Sequence, residues 1–245
     1  MTAPLLDVRD VTKRFGGLAA LDGVSFAVRP GETVGIIGPN GAGKTTLFGV
    51  VAGTILPEAG TVRLDGQPIT GLRPDQIVKR GLARTFQIVK PFPTLTVLAN
   101  VVVGALARHP SVGAAEAHAR EVLAFVGLER RAGDPAAVLT LADRKRLEVA
   151  KALATEPRVL LLDEVMAGLT RREGAAAVEL LRALQQRGTT LLVIEHVMRA
   201  IMTVSDRVVV LVQGRKIAEG PPAEVSRDPA VIRAYLGEGF HAEHP

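Results

Sequence analysis

The chain has 245 residues, a formal net charge of +5 and no cysteine, and 47% of it is hydrophobic. That length buries a full core in one domain with room for an inserted lobe, and the missing thiols exclude disulfides and thiolate metal sites, in keeping with a reducing compartment. The mild charge and the 3% aromatic content argue against nucleic acid as a partner, while the high apolar share favours burial of surface against other proteins.

The opening stretch, Met1 to Phe15, acquires charges too early for a signal peptide. It contains an alternating strand, Leu6 to Val11, and a turn at Gly16-Gly17 leads to a second one, Val24 to Val28. Pro30-Gly31 turns the chain into Thr33-Val34-Gly35-Ile36-Ile37, a short buried strand. Next comes Gly38-Pro39-Asn40-Gly41-Ala42-Gly43-Lys44-Thr45-Thr46, which fits G-x-x-x-x-G-K-[ST], the P-loop pattern, and Thr46 to Ala52 continues it as a helix. Glycines at these places let the backbone curl and bring successive N–H groups against phosphate oxygens. The helix that follows aims its positive end at the same anion. Lys44 is placed to reach the β- and γ-phosphates, and the Thr45 hydroxyl to ligate Mg²⁺. Gly60 to Gly66 reads as a further strand ended by a turn.

Residues 91 to 154 change texture, with Pro91 and Pro93 followed by Ala-rich segments of helical spacing. They are expected to form a helical subdomain inserted into a core made of residues 1–90 and 155–245. The most apolar run, Val97 to Ala107, is too short to span a membrane and is interrupted by Asn100. The basic clusters Arg144-Lys145-Arg146 and Arg171-Arg172 read as solvated helix faces. The α/β rhythm then resumes with a strand at Arg158 to Glu164, a helix at Glu173 to Gln186, and strands at Thr189 to Ile194 and Arg207 to Val212. Alternating βα units imply a mainly parallel sheet, preceded by antiparallel β pieces, with phosphates at its carboxyl edge.

Val159-Leu160-Leu161-Leu162-Asp163 is an apolar strand ending in a carboxylate, the Walker-B arrangement that holds Mg²⁺ opposite Thr45. Glu164, one residue further on, can align a water against the γ-phosphate of ATP. His196 follows the next strand and is either its polar terminus or a functional group beside Asp163.

Together these residues resemble the ATP-binding subunit of ABC transporters over nearly the whole chain. Arg14-Phe15-Gly16-Gly17-Leu18-Ala19-Ala20-Leu21, GPNGAGKTTLF, Arg84-Thr85-Phe86-Gln87 and the ending from Asp228 to Gly237 are similar to the branched-chain amino acid importers. The resemblance implies the ABC ATPase fold, with Phe15 stacked on adenine, Gln87 in contact with the metal shell, and His196 sensing the γ-phosphate. It implies a peripheral ATPase on the cytoplasmic face of the bacterial inner membrane, docked under permease subunits and served indirectly by a periplasmic or extracellular solute-binding protein. A second, homologous ATP-binding subunit completes the pair. Two stretches depart from the family pattern. The signature, roughly Leu-Ser-Gly-Gly-Gln, here reads Leu139-Thr140-Leu141-Ala142-Asp143, and Thr170 stands where Asp is common. Thr140 keeps the hydroxyl that reaches a γ-phosphate in trans, although Thr140-x-x-Asp143 also reads as a capping box. These departures point to a non-identical partner subunit. Two other readings of the family remain: a soluble ABC ATPase acting on nucleic acid or ribosomes, and a regulatory subunit with weak hydrolysis.

Overall fold

The computed structural model describes residues 3–85 and 91–236. Strands β1 (Leu6–Phe15) and β2 (Leu18–Val28) form a hairpin whose turn needs Gly16, at φ 58°. β3 (Thr33–Ile37) is buried at all five positions and feeds the helix α1 (Lys44–Val51). β4 (Ala59–Leu64) and β5 (Gln67–Pro68) complete an antiparallel sheet of order β2-β1-β4-β5. Helix α2 (Pro74–Lys79) and strand β6 (Leu82–Arg84) follow.

The next stretch is helical, with α3 (Val97–Ala105), α4 (Val112–Val126) and α5 (Leu141–Leu153). Thr96 and Ser111 cap α3 and α4 by accepting from Ala99 and Ala114 N–H groups. Then come β7 (Val159–Asp163), α6 (Arg171–Gln186), β8 (Thr190–Ile194), α7 (Met198–Val204), β9 (Arg207–Val212), β10 (Arg215–Gly220), α8 (Pro222–Val225) and α9 (Pro229–Leu236). The second sheet has the order β10-β9-β3-β8-β7-β6 and is parallel except for β10. Its central strands β3, β7 and β8 have no exposed position, which is why they read as unbroken apolar runs.

Three hydrophobic cores follow from this layering. One lies between the antiparallel sheet, α1 and one face of the parallel sheet. Another packs the opposite face against α6 and α7. The third, drawn from α3, α4 and α5, belongs to the helical segment.

The structure extends the sequence reading at helix starts. Helix α6 begins at Arg171, two residues before the expected Glu173, because Thr170 caps it. The Thr170 hydroxyl accepts from Glu173 N–H at 3.4 Å, and the Glu173 carboxylate accepts from Thr170 N–H at 2.8 Å. The expected box at Thr140 is half formed: Thr140 accepts from Asp143 N–H at 3.2 Å, while the Asp143 carboxylate lies instead near Arg131 and Arg146.

Asn100, the residue that breaks the apolar run of α3, is fully buried. Its carbonyl accepts from Phe92 N–H at 2.8 Å, and its amide donates to Phe92 O and Thr96 O at 3.1 and 3.0 Å. It thus ties the segment entering the helical region to the first turn of α3. Asn100→Leu, which leaves those backbone groups without partners, should lower stability by about 1–3 kcal/mol in urea denaturation with no change in nucleotide affinity. A variant as stable as the parent would show that the segment finds other partners.

Candidate functional site

Strand register builds the site. Asp163 pairs with Ile194 across β7 and β8, and Ile36 pairs with Ile194 across β3 and β8. The carboxyl ends of three adjacent strands therefore release the loop 38–43, Asp163-Glu164 and Glu195-His196 at one edge. One cleft is lined by Phe15, Asn40, Gly41, Ala42, Gly43, Lys44, Thr45, Thr46, Glu164 and His196, joined by Leu18, Ala19, Ala20 and Gln213.

The loop has its shape because two positions admit no side chain. A Cβ on Gly38 (φ 151°) would lie 2.1 Å from Leu211 O, and one on Gly43 (φ 101°) 2.3 Å from Ala20 O. Gly43 is also the N-cap of α1, whose first turn has no side-chain cap and no acidic residue, so its N–H groups face the cleft ready for an anion. Lys44 is buried and donates to Gly38 O at 2.7 Å and Pro39 O at 3.0 Å. Burial lowers its pKa, and the nearby Glu164 and Asp163 carboxylates oppose that shift. Thr45 is exposed and Thr46 half-buried. Phe15 is 52% exposed at the end of β1, which removes it from the core, and Lys13 Nζ lies over one side of its ring, 5.3 Å from the centroid.

Asp163 is buried, and its Oδ2 accepts from Arg84 Nη2 at 2.8 Å. Its Oδ1 is also buried and has no hydrogen-bond partner among the described residues. Burial raises the Asp163 pKa, while the Arg84 guanidinium pulls it back. An ionised carboxylate oxygen left without a donor, beside a phosphate cradle with an exposed threonine hydroxyl, suits a hard divalent cation such as Mg²⁺. Gln87, expected at the same metal, lies outside the described residues.

Glu164 adopts φ 51°, a conformation rarely populated by residues with a Cβ and often found at functional sites. Its N–H donates to Ile194 O at 2.9 Å, and its Oε1 is 2.6 Å from His196 Nε2. His196 is thus exposed at the end of β8 and at the same time paired with the carboxylate next to Asp163.

Three residues to which the sequence reading gave no role in the site also reach it. Arg84 is one. The second is Lys145, which corrects the expectation of a solvated basic face on α5: Arg144 is exposed, but Lys145 is buried and donates to Glu164 O at 2.6 Å. Burial lowers the Lys145 pKa against the pull of the carboxylates of Glu195, Glu164 and Asp163. The third is Glu195, 2% exposed, whose Oε1 accepts from Met166 N–H at 2.7 Å. Only Glu195 carried a local signal, as an acidic residue at the end of an apolar strand.

Comparison with known proteins agrees with this geometry. A family model described as ABC transporter matches residues 21–167, and one described as branched-chain amino acid ATP-binding cassette transporter matches residues 215–241. The high-affinity branched-chain amino acid transport ATP-binding protein LivG of Escherichia coli strain K12 is 40% identical, covering 97% of this chain and 100% of the relative. Its counterpart BraF of Pseudomonas aeruginosa is 39% identical over the same shares. Among solved structures, the ADP conformation of an ATP-binding cassette of an ABC transporter superposes with a TM-score of 0.87 at 31% identity, covering 97% of this chain and all of that one. A dimeric post-hydrolysis cassette bound to ADP and Pi superposes with a TM-score of 0.80 at 27% identity, covering 89% and 98% of the two chains.

Burial pushes the Glu195 carboxyl from its ordinary value of 4.5 up to about 7, against the opposing Met166 N–H bond and Lys145. Between those values the folded chain keeps a proton that the unfolded chain has released. Its contribution to stability is full below the unfolded pKa and is lost as pH rises through the folded one, a change of about 3 kcal/mol. Glu195→Gln keeps an acceptor for Met166, so it should flatten the fall in stability between pH 5 and pH 8 seen in denaturant titrations. Identical slopes for the two proteins would assign the pH dependence elsewhere.

Proposed function

The chain belongs to the ABC transporter family of ATP-binding cassettes, and from that premise we propose that it is the ATP-hydrolysing subunit of a membrane importer for branched-chain or related amino acids. The observation that carries the ATPase assignment is the meeting of the phosphate loop, Asp163, Glu164 and His196 at one sheet edge. The solute class rests on LivG and BraF, which match from end to end, and on the importer-type model over residues 215–241.

In this reading the phosphates lie on the N–H groups of the 38–43 loop and α1, and adenine stacks on the open face of Phe15. Lys44 exchanges the Gly38 and Pro39 carbonyls for β- and γ-phosphate oxygens. Thr45 and Asp163, with Gln87 as the resemblance implies, would hold Mg²⁺, and the ion would neutralise phosphate charge when bound. Glu164 orients the attacking water and takes its proton on the carboxylate, while His196 fixes the carboxylate rotamer and stands next to the γ-phosphate.

The protein works as one of a pair of ATP-binding subunits on the cytoplasmic face of the membrane. Among the described residues no helix is long and apolar enough to cross a bilayer, so anchoring falls to permease subunits. To the partner's site it presents Thr140, exposed at the start of α5. Ala142 lies inside the first turn of α5, where Ala in place of Gly costs little. Asp143 is the handicap, because its carboxylate adds negative charge near an anion, although Arg131 and Arg146 draw it aside at 3.8 and 4.0 Å. The second site is therefore weakened rather than lost, which favours a non-identical partner.

Glu164→Gln in the assembled complex should keep the wild-type Kd for ATP while steady-state hydrolysis falls about 10²–10⁴-fold, the range for loss of a general base. Lys44→Ala should weaken nucleotide binding itself. Wild-type turnover by Glu164→Gln would remove it from the chemistry. Restoring the signature with Ala142→Gly and Asp143→Gln should raise ATPase several-fold in a heteromeric complex, and an unchanged rate would make the altered face a fully working variant.

A further inference from the structure

Far along the chain from the phosphate loop, two of the five histidines meet. His109 follows α3, His118 lies on α4, and Glu156 sits in the turn between α5 and β7. One ligand atom from each lies within 4.8 Å of the other two. His109 Nε2 is 2.9 Å from Glu156 Oε1, and His118 Nε2 is 3.8 Å from the same oxygen. The two rings are 4.8 Å apart and inclined at 36°, so both present a nitrogen to one point without stacking flat.

Three details separate this cluster from an ordinary surface ion pair. His118 Nε2 is buried and has no hydrogen-bond partner among the described residues, although it faces the carboxylate. On the other side of the ring, Nδ1 lies 3.8 Å from Glu121 Oε2. The ring thus lies between two carboxylates, each 3.8 Å from one of its nitrogens, and hydrogen-bonds to neither. Glu156 in turn holds φ 51°, unusual for a residue with a Cβ, with its N–H donated to Leu153 O at 2.8 Å. An ion pair of His109 with Glu156 accounts for the first distance but leaves His118 Nε2 unexplained.

We propose that His109, His118 and Glu156 form a binding site for a divalent transition-metal ion of the zinc type, independent of the nucleotide site. Two imidazoles and a carboxylate suit Zn²⁺, whereas Mg²⁺ and Ca²⁺ take oxygen ligands. Metal–ligand bonds of about 2.0–2.2 Å place tetrahedral ligand atoms roughly 3.3–3.6 Å apart. The two histidine–carboxylate separations of 2.9 and 3.8 Å bracket that spacing, and all three ligand atoms lie within 4.8 Å of one another, so side-chain rotations close the site and a water completes it. The bound ion joins the segment after α3 and the middle of α4 to the turn that feeds β7, at a junction where Arg108 Nε already donates to Thr155 O at 3.1 Å.

The test uses tag-free, full-length protein stripped with chelator, titrated with Zn²⁺ in a calorimeter in the presence of excess Mg²⁺. One equivalent should bind at micromolar Kd or tighter, raise the melting temperature, and give visible d–d absorption when Co²⁺ replaces Zn²⁺. His118→Ala and, separately, Glu156→Gln should each weaken Zn²⁺ at least tenfold and abolish the thermal shift, with ATP affinity unchanged. His109→Ala provides a further variant should either fail to fold. No saturable Zn²⁺ binding by the wild type overturns the proposal. So does undiminished binding by the variants, which would place the ion on other residues such as His196, His241 or His244.

Discussion

The site depends on the register of three parallel strands. Because β7 and β8 align Asp163 with Ile194, and β3 and β8 align Ile36 with Ile194, all three strands end at nearly the same height and release their loops at one edge. A shift of one residue in any of them would turn a side chain to the other face of the sheet. That register is held by apolar burial on both faces, not by the polar groups it positions. Phe48 and Leu47 of α1 press on one face, and Leu181 and Leu184 of α6 on the other. The fully buried strands therefore act as a rigid ruler for the chemistry at their ends.

What the sequence made legible follows from the range of the interactions involved. The phosphate loop was readable because its cause is local: Gly38 and Gly43 avoid Leu211 O and Ala20 O, and Lys44 and Thr45 sit at fixed offsets from them. The strand ending at Asp163 was readable because a doubly buried strand must be apolar throughout. Lys145 was misjudged because a basic triplet looks alike whether its middle member faces water or a carbonyl 19 residues away. Arg84 was quoted only as part of a family motif, since its partner Asp163 is distant in sequence and becomes a neighbour only when β6 pairs with β7. Thr170 stood out only as a departure from the family pattern, and the structure gives it a plain role as the cap of α6.

Lys145 also connects two parts of the molecule that serve different sites. It lies on α5, the helix that begins at Thr140, and its ammonium is bonded to the backbone oxygen of Glu164. Glu164 is held at φ 51° between that bond, the Ile194 carbonyl and His196. A rotation of α5 would stretch or release the Lys145 bond, and the peptide it holds belongs to Glu164, the carboxylate proposed above to be catalytic. In that proposal the helix offered to a partner's nucleotide is linked, through one side chain, to the residue assigned to this chain's own nucleotide.

Such a link is costly, and the surroundings show where the cost falls. A buried ammonium needs charge compensation, and the nearest groups are Glu195, Glu164 and Asp163, all crowded at one edge. Three carboxylates facing two lysines and an arginine cannot each be well solvated by protein, which is why Glu195 is driven up to about 7 and Asp163 is also raised. Replacing such a cluster with apolar residues is often stabilising in proteins, so its presence speaks for function rather than for stability. The apolar strands beneath offset the strain. An edge of this kind, rigid below and electrostatically frustrated above, is suited to a polyanion: phosphates arriving at Lys44 would add the negative charge that draws its ammonium off the loop carbonyls, and a cation at Asp163 would answer the oxygen that has no donor among the described residues.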